Sequence, residues 1–253
     1  MHQVLFHLGS FTVYSYYMLW TVALFVGFLW TYSRSVIRYG LLPHDVIFLL
    51  SGAGLGIIAG MSVSIYLKHP GIIWENPLRL FYFGEGGLSS FHAFIGGVLG
   101  TLIILWVRKI PLWRVTEASA LPASVVLAIG RWGCFLNGCC AGVETSFPWG
   151  IRFPIDPNRL LRHPTELYYA FSALAILWIL QEVEGRIGAL ERKHHQAILW
   201  PLFCFLYGCS RFLIDPLRID WFAQRRSFFM SSSFLVITGA VWGVFSIVQM
   251  RRP

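Results

Sequence analysis

Charged residues are scarce in this chain. Asp, Glu, Lys and Arg make up 13% of its 253 residues, against 56% apolar ones. A soluble domain carries about 25% charged residues, so the deficit excludes an ordinary water-soluble core and points to a protein dissolved in lipid. A mean hydropathy of +0.62 agrees. Internal repeats, low-complexity tracts and domain-sized linkers are missing, so residues 1–253 read as one integral membrane domain. Met1 to Thr12 lacks the basic start of a cleavable signal peptide, and none is expected. Cysteine is sparse and odd in number, at five, which gives no disulfide framework. Cys134, Cys139, Cys140, Cys204 and Cys209 all fall in or beside apolar runs, where thiols often serve as packing. Acidic residues are the rarer charge, leaving a net +8. The basic residues are scattered and form no dense patch, which argues against nucleic acid and for anionic lipid.

A membrane span needs about 20 mostly apolar residues. On that rule the chain reads as an all-α polytopic membrane protein with about seven transmembrane helices. They fall near Val13–Tyr32, Val46–Leu67, Phe91–Val107, Ala118–Cys139, Glu166–Leu180, Ala197–Ile214 and Phe228–Gln249. The fifth is short, which suits a tilted, broken or re-entrant segment. Lys and Arg in the connecting loops divide ten to one side and eight to the other. That bias places the N-terminus outside and the C-terminus in the cytoplasm. The most polar loop, Glu182–Gln196, contains His194 and His195, which read as solvated residues and not as metal ligands.

Two arginines interrupt the apolar runs. Placing a guanidinium at membrane depth costs about 2.5–3.5 kcal/mol, so Arg131 and Arg211 must face a polar interior or an anionic ligand. Arg131 sits in Gly130-Arg-Trp-Gly-Cys-Phe-Leu-Asn-Gly-Cys-Cys-Ala-Gly142, where four glycines in thirteen residues mark backbone that bends and admits a ligand. Asn137 adds an amide suited to hydroxyls or phosphate oxygens. A glycine-rich packing face with a structural arginine is the plainer reading. Arg211 shares a helix face with Asp215 and Tyr207, either as a simple ion pair or as half of a phosphate clamp. His92 follows Gly86-Gly-Leu-Ser-Ser-Phe and is either a general base or a capped helix start. Arg162-His-Pro-Thr-Glu-Leu-Tyr-Tyr169 holds His163 before an early-helix proline, with Glu166 at the positive end of the helix dipole. His163 is there a capping residue or a second polar ligand. Tyr14-Ser-Tyr-Tyr17 suits an interfacial aromatic belt. Cys134, Cys139 and Cys140 fit no zinc spacing, and neighbouring cysteines pair poorly as a disulfide.

In this order, the blocks resemble the bacterial prolipoprotein diacylglyceryl transferase family over most of the chain. The resemblance rests on Gly-Arg-x-Gly-x-Phe-x-Asn-Gly from Gly130, the Gly-Gly-Leu-Ser and His92 before it, Arg162-His-Pro after it, and Tyr207-Gly-x-x-Arg-Phe with Asp215 and Arg218. It implies an inner-membrane enzyme without metal or cofactor. Its partners would be phosphatidylglycerol, the lipobox cysteine of a prolipoprotein signal peptide, and the bilayer. By the same resemblance, Arg131, Arg211 and His92 stand for the family's essential residues. Tyr207, Asn137, Arg218 and Tyr16 stand for its contacts to the lipid head group.

Some positions depart from the pattern. Cys134 replaces an asparagine, Cys139 an acid, Asp215 a glutamate and Tyr17 a glycine. An arginine common in the second helix is missing from Gly60-Met-Ser-Val-Ser64, and His92 stands one residue late. The reaction implied is attack by an acceptor thiolate on the glyceryl carbon bearing phosphate, with glycerol phosphate leaving. His92 would take the thiol proton. Arg131 and Arg211 would stabilise the departing phosphate. Tyr207, Asn137 and Tyr16 would orient the head group, and Asp215 would orient Arg211. The alternatives are a divergent relative with another acceptor, or a lipid-binding or transport protein without chemistry.

Overall fold

Lipid offers no hydrogen bonds to a peptide backbone, so long apolar runs close their own as helices. The computed structural model describes residues 3–8, 11–68, 71, 90–154, 156–190 and 197–250. Among these, seven helices form: α1 (Ser15–Ile37), α2 (Pro43–Lys68), α3 (Ser90–Arg108), α4 (Leu112–Asn137), α5 (Thr165–Leu190), α6 (Leu199–Ile214) and α7 (Trp221–Met250). Four contain stretches long and apolar enough to cross a membrane, namely Pro43–Leu67, Leu112–Asn137, Thr165–Ile187 and Phe228–Ser246. Large apolar side chains such as Phe25, Leu55, Phe94 and Phe234 project outward, as a lipid-facing surface requires.

Three expectations need correction. The fifth apolar run is neither short nor broken. α5 is one helix of 26 residues, continued from Gln181 to Leu190 after the apolar stretch ends, with Gln181, Glu182, Glu184 and Arg186 favouring helix despite Gly185 and Gly188. α6 is only 16 residues long, spanning about 24 Å at 1.5 Å per residue. Before α1 the chain forms an antiparallel hairpin, β1 (Val4–Leu8) with β2 (Phe11–Tyr14), and the helix starts at Ser15. Gly86–Ser89 and the His194–His195 pair lie outside the described residues.

The described chain divides into two compact units, one of residues 1–31 and 115–253, the other of residues 32–114. The core of the larger unit joins Ala120 and Leu121 of α4, Ile176 and Leu180 of α5, and Leu199 and Phe203 of α6. Its buried Glu117 accepts the Trp200 amide at 3.0 Å, satisfying one of the free donors at the start of α6. α1 reaches α4 through glycine: a Cβ on Gly130 would lie 2.7 Å from the Trp20 ring. The smaller unit is dominated by α2 against α3. Gly56 and Gly96 face each other so closely that a Cβ on either would stand 2.1 Å from the other's carbonyl oxygen. Asp45 at the start of α2 pairs with Arg108 at the end of α3 at 2.6 Å.

Candidate active site

Arg131 projects from the last turns of α4 and lies over the face of Tyr169, 4.3 Å from the ring centre. It pairs with no carboxylate among the described residues, and its polar neighbours include the hydroxyl of Tyr207. Tyr169, on α5, is fully buried and donates its hydroxyl to Asp215. Asp215 follows α6 and is 1% exposed. Its other oxygen accepts from Arg211 at 3.1 Å and from Ser232 of α7 at 3.2 Å. Arg211 and Arg218 both lie over the Phe228 ring, at 5.8 and 5.1 Å. Arg218 also grips Asp220 through two bonds of 2.9 and 2.7 Å. Burial opposes its charge, but the Asp220 carboxylate more than offsets this and raises the Arg218 pKa. Three guanidiniums are thus gathered around Tyr169, Asp215 and Phe228. Arg211 and Arg218 have carboxylate partners; Arg131 has an aromatic face, and such a contact is worth about 2 kcal/mol when desolvated.

The loops that carry these residues are tied by main chain. α4 ends with Gly138 at φ 75°, the Gly138 amide bonding Phe135 O and the Cys139 amide bonding Cys134 O. This pair of bonds is a Schellman cap, which calls for a left-handed residue at Gly138. From there the chain runs between two neighbours. The Gly142 amide donates to His163 O at 2.8 Å, the Val143 amide to Leu217 O at 2.8 Å, and the Thr145 amide to Leu161 O at 2.9 Å. A Cβ on Gly142 would meet His163 O at 2.7 Å and Leu217 O at 2.8 Å, so only glycine fits. The blocks around Arg131, His163 and Arg218 therefore form one laced assembly. Arg162 anchors it further by a 2.7 Å bond to Asp156, whose carboxyl that bond holds below the usual carboxylate range.

The sequence profile of the prolipoprotein diacylglyceryl transferase family matches residues 3–248. The chain belongs to that family. It is 34% identical over 85% of its length to the phosphatidylglycerol–prolipoprotein diacylglyceryl transferase of Cupriavidus metallidurans, covering 80% of that protein. The enzyme of the same name from Geobacter sulfurreducens is 32% identical over 85% of the chain, with 81% of it covered. That from Halalkalibacterium halodurans is 30% identical over 86% of the chain, with 76% covered.

In this family member the residues singled out by sequence fall into three places. Arg131, Tyr207, Arg211, Asp215 and Arg218 come together as described. Asn137 is the last residue of α4; its carbonyl accepts from Gln3 at 2.9 Å, and the neighbouring Cys139 thiol donates to Cys134 O at 3.5 Å. Tyr16, near the start of α1, faces α4, its carbonyl oxygen 3.4 Å from where a Cβ on Gly133 would stand. His163 is buried, with Nδ1 3.0 Å from the Tyr168 hydroxyl and its ring against Phe147, so it belongs to an aromatic cluster with Trp149. His92 lies in the smaller unit, in the first turn of α3. Gly60 permits this placement, since a Cβ there would stand 2.1 Å from His92 O.

Sequence reasoning gives Tyr169 no role and Glu166 only a place at the helix dipole. Tyr169 was visible only as the end of the Arg-His-Pro block; its link to Arg131 and Asp215 is tertiary. Glu166, one helical turn before it on the same face, is fully buried and accepts no hydrogen bond from another described residue. The free thiols of Cys134, Cys139 and Cys140 also converge, all three Sγ atoms lying within 4.8 Å of one another.

Proposed function

We propose that this chain transfers the diacylglyceryl group of phosphatidylglycerol to the lipobox cysteine thiol of prolipoproteins, releasing glycerol phosphate. It does so in the bacterial cytoplasmic membrane as a multi-pass protein, with its N-terminus outside and its C-terminus in the cytoplasm. Family membership supports the reaction. Among the site's features, one observation carries the reading: Arg131 is a permanent charge bonded to no carboxylate among the described residues, and it is stacked on a buried tyrosine.

The acceptor sulfur attacks the glyceryl carbon, forming a C–S bond as the C–O bond to phosphate breaks. The electron pair of that bond leaves on the phosphate oxygen. Charge grows there, so Arg131 acts where the transition state is more anionic than the lipid. Arg211 contributes a second cation, held in place by Asp215. A free thiol of pKa about 8.5 is mostly protonated near neutrality, and His92 accepts its proton. Tyr207, Asn137, Tyr16, His163 and Arg218 bind the head group around this centre.

The test uses purified protein in vesicles of phosphatidylglycerol with a lipobox peptide. Mass spectrometry should show the peptide gaining one diacylglyceryl group, and Arg131→Ala should abolish the gain. A folded protein that leaves the peptide unmodified overturns the reading.

A further inference from the structure

Cys134, Cys139 and Cys140 have no part in the lipid chemistry proposed above. Their convergence has a backbone cause. In a Schellman cap the third residue from the helix end and the second beyond it come into side-chain contact. Here those two positions are Cys134 and Cys139, linked by the Cys139 amide to Cys134 O. Cys140 then takes φ 68°, a left-handed conformation uncommon for a residue with a Cβ, and the chain turns back on itself. Its carbonyl is fixed by the Thr165 hydroxyl at 2.7 Å. Helix cap and turn thereby bring three thiols from a seven-residue stretch to one point.

The distances between the sulfurs suit a metal. Zinc–thiolate bonds are about 2.3 Å, so sulfurs sharing a tetrahedral ion stand about 3.8 Å apart. Sulfurs already within 4.8 Å reach that distance by movements of about 1 Å or less. Soft thiolate ligands select thiophilic d10 ions over magnesium or calcium.

We propose that Cys134, Cys139 and Cys140 form a binding site for one thiophilic metal ion of the zinc or cadmium class, with the fourth position open. The site goes beyond the transferase reading and does not rest on it.

The experiment titrates cadmium into the reduced full-length protein in detergent and follows the ultraviolet thiolate-to-metal charge-transfer band. One ion per chain should produce the band. Cys204→Ser with Cys209→Ser should leave it intact, whereas Cys140→Ser should weaken binding by more than about 100-fold, beyond what a supporting-shell change causes. Zinc should raise the melting temperature of the wild-type protein and not that of Cys140→Ser, provided the two melt alike without metal. If Cys140→Ser does not fold, Cys134→Ser and Cys139→Ser serve the same comparison. A protein that gives no band, or a band that survives loss of these thiols, overturns the proposal. Both readouts concern metal on the free protein. Their failure leaves lipid transfer standing, and failure of lipid transfer leaves them untouched.

Discussion

The pair α2–α3 and the loops around Arg131 solve opposite problems. α2 and α3 meet largely through glycine, Gly52, Gly56 and Gly60 on one helix against Gly96 and Gly100 on the other, with Ile104 against Gly52 and Ile57 against Gly97. Packing there is main chain on main chain, as in helix pairs that associate within lipid. Around Arg131 the reverse holds. Large charged and aromatic groups fill the space, and each guanidinium is held by a carboxylate or a ring. Glycine packing is stiff and chemically silent. The arginine cluster concentrates positive charge, and it requires close partners because an unpaired charge at membrane depth is expensive.

The sharpest break in that comparison is Arg131→Ala. Transfer to a lipobox peptide should fall by at least about 1,000-fold while the protein still folds, since loss of one transition-state donor already costs 100- to 1,000-fold. Arg131→Lys should recover little, because an ammonium lacks the planar stack on Tyr169. Retention of wild-type turnover by either variant contradicts the role given to this charge.

Gly56→Ala tests the other region. The added methyl meets backbone, which cannot step aside, so the protein should lose about 3 kcal/mol, the upper end of overpacking costs. Gly54→Ala on the same helix meets nothing within 4 Å and should be neutral or slightly stabilising. Equal melting temperatures for the two variants would show that the α2–α3 contact is not load-sensitive.

Tyr169→Phe keeps a ring under Arg131 and removes one bond to Asp215, which retains Arg211 and Ser232. The expected loss is about 1–2 kcal/mol of stability, with transfer slowed by about tenfold. A null effect on both would detach Tyr169 from the cluster.

The smallest effect is on pH. Asp156 has a lower pKa folded than unfolded because Arg162 bonds its carboxylate. Its contribution is therefore complete above about pH 4, the ordinary carboxylate value, and is lost as pH falls through the folded value. Asp156→Asn should flatten that acid limb of the melting profile, measured by thermal scans below pH 5 (about one unit above the ordinary value). An unchanged slope would assign acid sensitivity elsewhere.

Helices were legible because lipid enforces one rule: twenty apolar residues must close their own hydrogen bonds. Arg131 and Arg211 were legible because their cost demands a reason. What escaped the sequence is tertiary or depends on backbone shape. The Val4–Tyr14 hairpin lies where apolarity alone suggests nothing but an approach to α1. The polar tail of α5 carried no hydropathy signal although its residues favour helix. Tyr169 looks like any aromatic residue until Arg131 is seen above it. Cys134 and Cys139 read as lost polar contacts, because the cap that brings their sulfurs together is set by Gly138 and by bonds between peptide groups. His163 kept its place in the loop, but its ring is engaged by Tyr168 and Phe147.

The stretch from Gly142 to Thr145 is sewn to its neighbours by peptide groups on both sides. A seam of that kind is indifferent to what hangs from it. A change of side chain at Val143 leaves those peptide bonds, and the framework that presents the arginines, in place; at Gly142 any side chain collides with them.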